Sequence, residues 1–163
     1  MGIDRRAFRD ALGTFATGIT VVSSIDEGGH PFGLTVNSFN SVSLSPPLVL
    51  CSLTRDSNTL EVIRASEKFA VNVLNADQQS ISDRFAKNGD DKWVGLEYKH
   101  AASNGCPYIL NTLATFVCKV AHIYDGGDHE IVVGEVVEMS SAKTGSPLIY
   151  FRGSYRGLNL EDT

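Results

Sequence analysis

Apolar and polar residues alternate along most of the chain with the two-residue period of β-strands. Runs rich in Val, Ile, Thr and Phe are bounded by Gly, Pro, Asn and Asp, which is typical of short strands between turns. The runs that predict strands are residues 19–23, 32–36, 48–53, 69–74, 114–124, 131–139 and 148–152. Gly28-Gly29 and Asp125-Gly126-Gly127-Asp128 join neighbouring runs at hairpin-like distances, and Pro46-Pro47 immediately precedes the third run. The pattern therefore predicts antiparallel pairing.

Other segments carry apolar residues at the three- and four-residue steps of an amphipathic helix. Asp4 can cap the first of these helices before Thr17-Gly18 closes it. The apolar residues of that helix are Phe8, Ala11, Leu12 and Phe15. Asn58, with Glu61 three residues later as a capping box, opens a helix over 58–66, and another is predicted over 77–87. Two or three helices on six or more short strands predict a mainly β fold, a closed or partly closed antiparallel β-barrel with peripheral helices.

Composition and charge narrow the class of partner. With 163 residues, 42% of them hydrophobic and 20% charged, the chain is expected to be a single domain over residues 1–163. A net charge of -5 and the lack of a basic run argue against nucleic acid as a partner. The longest stretch without charged side chains, residues 31–54, contains asparagines, serines and a double proline, so no membrane helix is expected.

The cysteines and histidines indicate the compartment and argue against a metal. Cys51, Cys106 and Cys118 are odd in number and match neither a CxxC nor a zinc spacing, so free thiols in a reducing compartment are expected. The N-terminal residues lack the apolar region of a signal peptide. We therefore expect a cytoplasmic protein with no disulfide. No histidine cluster has metal-ligand spacing, so no metal is expected either.

Hydroxyl and amide side chains are concentrated in the segment Thr35-Val36-Asn37-Ser38-Phe39-Asn40-Ser41-Val42-Ser43. Such groups cost roughly 1–3 kcal/mol each when buried without a partner, so they face solvent or bind a polar ligand. A flavin ring is a suitable ligand because it has an apolar xylene end, an edge of alternating donors and acceptors, and a polar ribityl tail. A solvated turn with local side-chain to backbone bonds explains the segment equally well.

A second polar cluster, Arg55-Asp56-Ser57-Asn58-Thr59, lies where a predicted strand passes into a predicted helix. The free N–H groups and the positive dipole end of a helix N-terminus, with hydroxyl and amide donors beside them, form a small phosphate site. The alternative is plain N-capping by Ser57 or Asn58.

The sequence Gly127-Asp128-His129 follows a predicted turn and comes directly before a predicted strand. The imidazole of His129 is therefore expected at the end of that strand. A histidine there can donate a hydrogen bond, orient a pyridine nucleotide or transfer a proton near neutral pH. A turn histidine in water is the alternative. Because the chain has neither a GxGxxG nor a GxxxxGK[ST] motif, a nucleotide would have to bind without a Rossmann site or a P-loop.

Taken together, these segments resemble the flavin reductase family, the short reductase components of two-component flavin-dependent monooxygenases. The matching segments occur in the family's order over nearly the whole chain. They are Phe8-Arg9, Phe15-Ala16-Thr17-Gly18-Ile19-Thr20-Val21-Val22, Gly33-Leu34-Thr35-Val36-Asn37-Ser38-Phe39, Ser41-Val42-Ser43, Pro46-Pro47-Leu48-Val49, Phe69-Ala70-Val71-Asn72-Val73-Leu74, Phe85-Ala86, Gly127-Asp128-His129 and Pro147-Leu148-Ile149-Tyr150.

The resemblance implies a split β-barrel of FMN-binding type with a Greek-key-like antiparallel arrangement, assembled as a homodimer with flavin near the subunit interface. It implies that the isoalloxazine and ribityl groups contact Thr35, Val36, Asn37, Ser38, Ser41 and Val42. Cys51, Ser52 and Leu53 are expected to line the ring, and Ser57, Asn58 and Thr59 to bind the phosphate, with Ala86 and Lys87 beside the cofactor. His129 is the expected catalytic residue at the nicotinamide, with Arg152 and Tyr155 close by.

The reaction that the resemblance implies is hydride transfer from C4 of NADH or NADPH to N5 of oxidised FMN or FAD. Reduced flavin then passes to a partner monooxygenase, and the protein supplies orientation and a water-poor pocket. Two alternatives stay open on the sequence. One is a flavin-binding carrier or sensor without turnover on the same barrel. The other is an oxidase similar to pyridoxamine-phosphate oxidase, for which Arg55 and Lys87 are the candidate phosphate ligands.

Overall fold

The computed structural model of the protein describes residues 2–89 and 92–158. Its helices are α1 (Arg5–Leu12), α2 (Asn58–Ser66) and α3 (Gln79–Phe85), and a 3₁₀ turn, Ala76–Gln78, precedes α3. Its strands are β1 (Thr17–Gly18), β2 (Thr20–Ile25), β3 (Pro31–Val36), β4 (Asn40–Leu44), β5 (Pro47–Thr54), β6 (Lys68–Val73), β7 (Tyr98–His100), β8 (Pro107–Ile109), β9 (Ala114–Gly126), β10 (His129–Ser141), β11 (Ile149–Phe151) and β12 (Ser154–Arg156). Within these described ranges no helix is long and apolar enough to cross a bilayer.

The largest sheet is antiparallel and has the strand order β3-β2-β6-β9-β10-β5-β4. β3 and β4 follow one another in the chain but form opposite edges of this sheet, so the sheet must curl for residues 37–39 to connect them. At that connection Ser38 Oγ donates to Ser52 O and accepts from Ser52 N, both at 2.9 Å. The side chain of Ser38, which follows β3, therefore joins that edge of the sheet to β5. In the described part of the chain no strand ladder closes the barrel. The predicted mainly β, split-barrel fold is confirmed.

The inner face of the curled sheet holds the main hydrophobic core. Its buried residues are Val22, Val36, Val49, Cys51, Leu53, Leu60, Ile63, Phe69, Val71, Cys118 and Val132. In β5 the residues Val49, Cys51 and Leu53 are buried and those between them are half-buried, which is the two-residue period of a strand. Leu60 and Ile63 of α2 are fully buried in the same core, and burying each stabilises the fold by about 2 kcal/mol. The apolar side of α2 is thereby fixed against the barrel.

A second core covers the outer face of β2 and β6, beneath α3 and the segment 92–113. Its buried residues are Ile19, Val21, Leu74, Phe85, Trp93, Ile109 and Leu148. Asn72 is fully buried between sheet and segment; its Nδ2 donates to Val21 O at 2.9 Å and its Oδ1 accepts from Ile109 N at 2.8 Å. Both the nitrogen and the oxygen of the buried Asn72 amide are hydrogen-bonded, and these bonds hold β8 against the sheet.

The predicted helices and strands are present, with shifted ends. The first helix ends at Leu12, so Phe15 lies beyond it, and the predicted helix 77–87 is the 3₁₀ turn followed by α3. The pattern missed β1, β4, β7, β8 and β12, which are five residues long or shorter. β4 is a polar and exposed edge strand, and the other four have only two or three residues, too few for an alternation to be recognised.

The apolar side of α1 is exposed. Phe8 is 53% exposed, Leu12 59% and Phe15 76%, and Leu44 of the edge strand β4 is 97% exposed. None of the residues of α1 is buried, although Asp4 caps the helix as predicted by accepting a hydrogen bond from Ala7 N at 2.7 Å. An amphipathic helix with an uncovered apolar side is typical of an interaction surface.

Candidate functional site

Two large pockets open on the surface of the barrel. Pocket A, of about 940 Å³, lies between β3, the N-terminus of α2 and the segment that follows α3. It is lined by residues 30–35, 54, 56–59, 85–89, 92–94 and 98. Six of the predicted site residues are among them: Thr35, Ser57, Asn58, Thr59, Ala86 and Lys87. The volume is in the range of small-molecule sites, so pocket A is the candidate cofactor site.

The apolar wall of pocket A is formed by β3, Phe85 and Trp93. The rings of Phe85 and Trp93 meet edge to face with centroids 5.0 Å apart. A Cβ at Gly33 would lie 2.7 Å from Phe85 Cε1 and 3.3 Å from Trp93 Cζ2. The missing side chain at Gly33 therefore lets the aromatic pair pack directly on the strand, as a glycine inside a strand often does. Both rings are buried, with Phe85 1% and Trp93 7% exposed, so they stand behind β3 and present little of their own surface to the pocket.

The polar end of pocket A is the start of α2. The N-cap of this helix is Ser57 and not Asn58 as predicted: Ser57 Oγ accepts a hydrogen bond from Leu60 N at 3.4 Å. Asn58 and Thr59 line the pocket as the first helical residues, where N–H groups and the helix dipole favour an anion. N-capping and an anion site are therefore compatible here.

Charged side chains stand near that polar end. Lys87 and Lys92 line the pocket, together with the carboxylate of Asp56. Lys92 Nζ donates to Gly33 O at 3.2 Å and to Phe85 O at 3.4 Å, which ties the segment after α3 to β3. Lys87 and the N-terminus of α2 are the parts of this lining that suit a phosphate.

Thr35 and Tyr155 fasten α3 to the rest of the site. Thr35 Oγ1 donates to Ser82 O at 2.7 Å, and Tyr155 Oη lies 2.9 Å from Ser82 Oγ and donates to Asp83 Oδ1 at 2.9 Å. Burial raises the pKa of the Tyr155 phenol above its ordinary value. The contacts of Tyr155 support α3, and through it the position of Phe85 in the pocket wall.

Pocket B, of about 1020 Å³, lies between α1, residues 37–40 and the turn after β11. It contains the predicted residues Asn37, Ser38 and Arg152. The hydroxyl of Ser38 is engaged by Ser52, as described for the barrel edge. Arg152 has a φ of 49° in the left-handed region, and its guanidinium carbon lies 5.2 Å from the centroid of the Phe151 ring. Thr35 lines pocket A while Asn37 and Ser38 line pocket B, so both pockets use residues of one continuous segment.

Several predicted residues lie outside the lining of both pockets. Val36, Cys51 and Leu53 direct their side chains into the main core, and burial raises the pKa of the Cys51 thiol to about 12. Only their backbone is available to a ligand in pocket A or B. Ser41 and Val42 are exposed on β4, where the pairing with β5 shifts register between Ser41 and Ser43. Ser52, also predicted to line the ring, binds Ser38 through its backbone.

His129 is the first residue of β10 and pairs in register with Thr54, which lines pocket A. Its side chain is 40% exposed, and Nδ1 lies 2.7 Å from Asp128 Oδ1. This hydrogen bond lowers the pKa of the Asp128 carboxyl below its ordinary value. The preceding Gly127 has a φ of 82°, which a glycine adopts without strain. His129 therefore begins β10 directly after a tight turn and lies in the lining of neither pocket; its backbone pairs with Thr54 of pocket A.

Sequence reasoning missed the aromatic wall and the cation of Lys92. Gly33 was the available signal, because a glycine inside an alternating strand marks a close approach of another group. Phe85 and Trp93 are distant in the chain from β3, so no local pattern brings them together. In the part of the chain that the structure describes, no group of three or more His, Cys, Asp or Glu side chains could hold a metal ion.

Comparison with known proteins gives a consistent result. The family model described as a flavin reductase like domain matches residues 12–159. The reductase subunit HsaB of a flavin-dependent monooxygenase from Mycobacterium tuberculosis is 41% identical over 163 residues, which cover 99% of this chain and 86% of that protein. The solved structure of the NADH:FAD oxidoreductase SgcE6 from Streptomyces globisporus, in complex with NAD and FAD fragments, superposes with a TM-score of 0.93 at 34% identity, covering 98% of this chain and 96% of that one.

One relative is much longer. A probable flavin reductase from Rhizobium meliloti is 40% identical over 93% of this chain, but the match covers 48% of that protein. The chain therefore spans about half the length of this relative.

Proposed function

The chain belongs to the flavin reductase like domain family, and on that basis we propose that it is a single NAD(P)H:flavin oxidoreductase domain that supplies reduced flavin to a monooxygenase. The observation that carries the proposal is pocket A, a cavity of about 940 Å³ whose lining combines apolar residues of β3 with Lys87 and the N-terminus of α2. A flavin mononucleotide has the matching shape, with a flat ring at one end and a phosphate at the other. The relatives named as reductases favour this function over a carrier or sensor without turnover.

The residues of pocket A bind and orient the flavin in this proposal. Ser57, Asn58 and Thr59 hold the phosphate with Lys87, while Phe32 and Leu34 of β3 provide an apolar surface for the ring. Bound flavin supplies the redox chemistry, since it accepts a hydride from the nicotinamide and carries it away in reduced form. The protein contributes proximity and exclusion of water, so acid–base catalysis by side chains is a minor part of its work.

The nicotinamide side of the site is proposed to involve His129, the catalytic residue, and Arg152 of pocket B. The backbone of His129 pairs with Thr54 of pocket A, and Asn37 and Arg152 line pocket B. A cationic guanidinium and a hydrogen-bonding imidazole are suitable for the phosphates and the carboxamide of NADH or NADPH. The flavin is FMN or FAD.

The partner proposed to receive the reduced flavin is a monooxygenase, because HsaB is named as the reductase subunit of such an enzyme. The proposed compartment is the cytoplasm. In support of it, Cys51, Cys106 and Cys118 are free and buried, and their burial raises the pKa of each thiol.

The first test is oxidation of NADH and then NADPH under anaerobic conditions, with FMN, FAD or riboflavin added in turn. We expect turnover that requires added flavin. We also expect riboflavin, which lacks the phosphate, to have a KM about tenfold higher than FMN, because the contacts at the start of α2 are lost. Tight flavin binding without oxidation of either nucleotide would contradict the reductase function and favour the carrier.

We further propose that the protein is a homodimer whose interface covers the exposed side of α1. Phe8, Leu12 and Phe15 form an apolar surface there, and Leu12 and Phe15 also line pocket B. A second chain on this surface would bury these side chains and wall pocket B. Exposed apolar groups of this size are otherwise a cost in solubility.

Leu12→Glu tests the homodimer. We expect the dissociation constant of the dimer, measured by sedimentation velocity over a dilution series, to rise at least about thirtyfold, because a charge would be buried at the centre of the interface. Val94→Glu is the matched control, since Val94 is 71% exposed at the rim of pocket A and distant in the chain from α1. A wild-type protein that sediments as a monomer, or equal effects of both variants, would disprove the proposed interface.

A further inference from the structure

The turn that carries His129 is held by one arginine of the neighbouring strand. Arg55 follows β5 and makes four bonds to this turn. Its Nε donates to Gly127 O at 2.7 Å, its Nη2 lies 2.9 Å from Asp125 Oδ2, its Nη1 donates to Glu130 Oε1 at 2.8 Å, and its backbone N donates to Asp128 O at 3.2 Å. The bonded residues lie on both sides of His129, so Arg55 spans the whole turn.

Glu130 links the turn to α2 as well. It is 8% exposed, and Arg64 of α2 donates to it through Nη2 at 2.6 Å and Nε at 3.1 Å. The Arg64 hydrogen bonds, followed by the charges of Arg64 and Arg55, hold the pKa of the Glu130 carboxyl below its ordinary value. Glu130 is therefore an ionised, hydrogen-bonded anchor directly after His129 in the chain.

His129 itself has few contacts that could orient it. Its ring nitrogen meets Asp128, whose side chain is 95% exposed and belongs to the same turn. The direction of the imidazole therefore follows from the backbone of residues 127–129. That backbone includes Gly127, which has wide conformational freedom. Within the turn Gly127 N donates to Asp125 Oδ1 at 2.9 Å, and Arg55 binds the other oxygen of the same carboxylate, so Arg55 also fixes the residue that holds Gly127.

We propose that Arg55 is a positioning residue for His129: its guanidinium fixes the Gly127–His129 turn so that the imidazole faces the rim of pocket A. The kinetic consequence rests on the proposed function, because it concerns the nicotinamide nucleotide. A rigid donor fork matched to a carbonyl and two carboxylates restrains the turn in a way that a single ammonium group does not. Displacement of a contacting group by about 1 Å is enough to weaken an active site strongly.

The competing explanation is a purely structural ion-pair cluster around Glu130. Arg55 and Arg64 both bind Glu130 and both side chains are 40% exposed, but the hydrogen bonds that the Arg64 side chain makes within the described residues go to Glu130 and not to residues 125–128. The pair Arg55→Met and Arg64→Met therefore separates the two explanations. Both variants remove a guanidinium from Glu130 and keep an apolar stem, and one of them also releases the turn.

The direct readout is the imidazole signal of His129 in protein labelled with ¹³C at histidine Cε1. His129→Ala identifies the signal, and His30, His100 and His122 serve as internal references. We expect Arg55→Met to shift or broaden the His129 signal and Arg64→Met to leave it close to its wild-type position. An unchanged His129 signal in Arg55→Met would overturn the proposal, whether or not the protein oxidises nicotinamide nucleotides.

The kinetic readout is the KM for the nicotinamide nucleotide with flavin saturating. We expect Arg55→Met to raise this KM about tenfold and to leave the Kd of flavin within about twofold, whereas Arg64→Met changes both less than about twofold. Arg55→Lys, which keeps the charge and loses the fork, is expected to recover only part of the loss. In the His129→Ala background, Arg55→Met should add little, because the group that it positions is absent.

Additive losses in the double variant would show that Arg55 acts independently of His129 and would overturn the positioning role. Failure of the proposed function has a different signature, because wild-type protein would then oxidise neither NADH nor NADPH with any flavin. The histidine signals decide the structural claim in that case.

Discussion

Gly134→Ala is expected to lower the free energy of unfolding by about 3 kcal/mol, at the upper end of the cost of overpacking a core. A Cβ at Gly134 would lie 2.7 Å from Phe69 Cε1 and 2.8 Å from Cys118 Cβ. Phe69 and Cys118 are fully buried, so neither side chain has space to move away. Gly134 also stands where the pairing of β9 with β10 shifts register, which fixes its backbone. Urea unfolding should give a lower midpoint with an unchanged slope.

Gly157→Ala is the matched control for this prediction. A Cβ at Gly157 meets no heavy atom within 4 Å, and the residue is exposed. Its unfolding midpoint should stay within experimental error of the wild-type value. A Gly134→Ala protein as stable as this control would mean that β10 can move away from Phe69, and that the close packing of these strands is not essential to the barrel.

The sequence predicted the strands of the barrel well because each long strand has its own alternation. β9 and β10 are long hairpin strands with a recognisable turn, and β5 begins at a proline pair. The sequence did not predict β4, whose serines and asparagine belong to an exposed edge strand. An edge strand buries little, so hydrophobicity gives no signal there. The curling of the sheet through Ser38 and Ser52 depends on contacts between distant residues.

The part of the candidate site whose residues are adjacent in the chain could be predicted from the sequence. Ser57, Asn58 and Thr59 lie together at the start of α2 because the sequence specifies a helix there. The ring-lining role expected of Cys51 and Leu53 is harder to derive, since a strand's alternation does not tell which of its two faces meets the core. Both side chains are buried inside the barrel. Whether their backbone contributes to the proposed ring site stays a prediction.

The network around His129 shows what a single sequence does not reveal. Arg55 belongs to a polar cluster, and Glu130 directly precedes the apolar-rich run 131–139. Their meeting depends on the register of β5 against β10, in which Leu53 faces Glu130 and Thr54 faces His129. Registers of this kind follow from the complete sheet, so an ion pair across two strands cannot be derived from either strand alone.

His129→Ala is expected to reduce kcat/KM for the nicotinamide nucleotide about thirtyfold, mainly through KM, and to leave the Kd of flavin nearly unchanged. Loss of a hydrogen bond to a charged or strongly polar group costs about 1.5–3 kcal/mol, which corresponds to this range. The imidazole stands on the turn before β10, whereas the proposed flavin contacts belong to β3, α2 and the segment after α3. Steady-state kinetics with each nucleotide and a fluorescence titration of flavin measure the two effects separately.

His122→Ala is the control for His129→Ala, because it removes an imidazole from the same hairpin. His122 lies on β9 and stacks on Tyr124 with ring centroids 5.5 Å apart, away from the turn at residues 127–128. We expect His122→Ala to change neither constant by more than about twofold. Equal losses of nicotinamide use and flavin binding in His129→Ala would contradict a nicotinamide role, since they would indicate a collapse of pocket A. A selective loss in KM would assign the two sides of the site to different elements of the barrel, with flavin bound by α2 and β3 and the hydride donor guided by the β9–β10 turn.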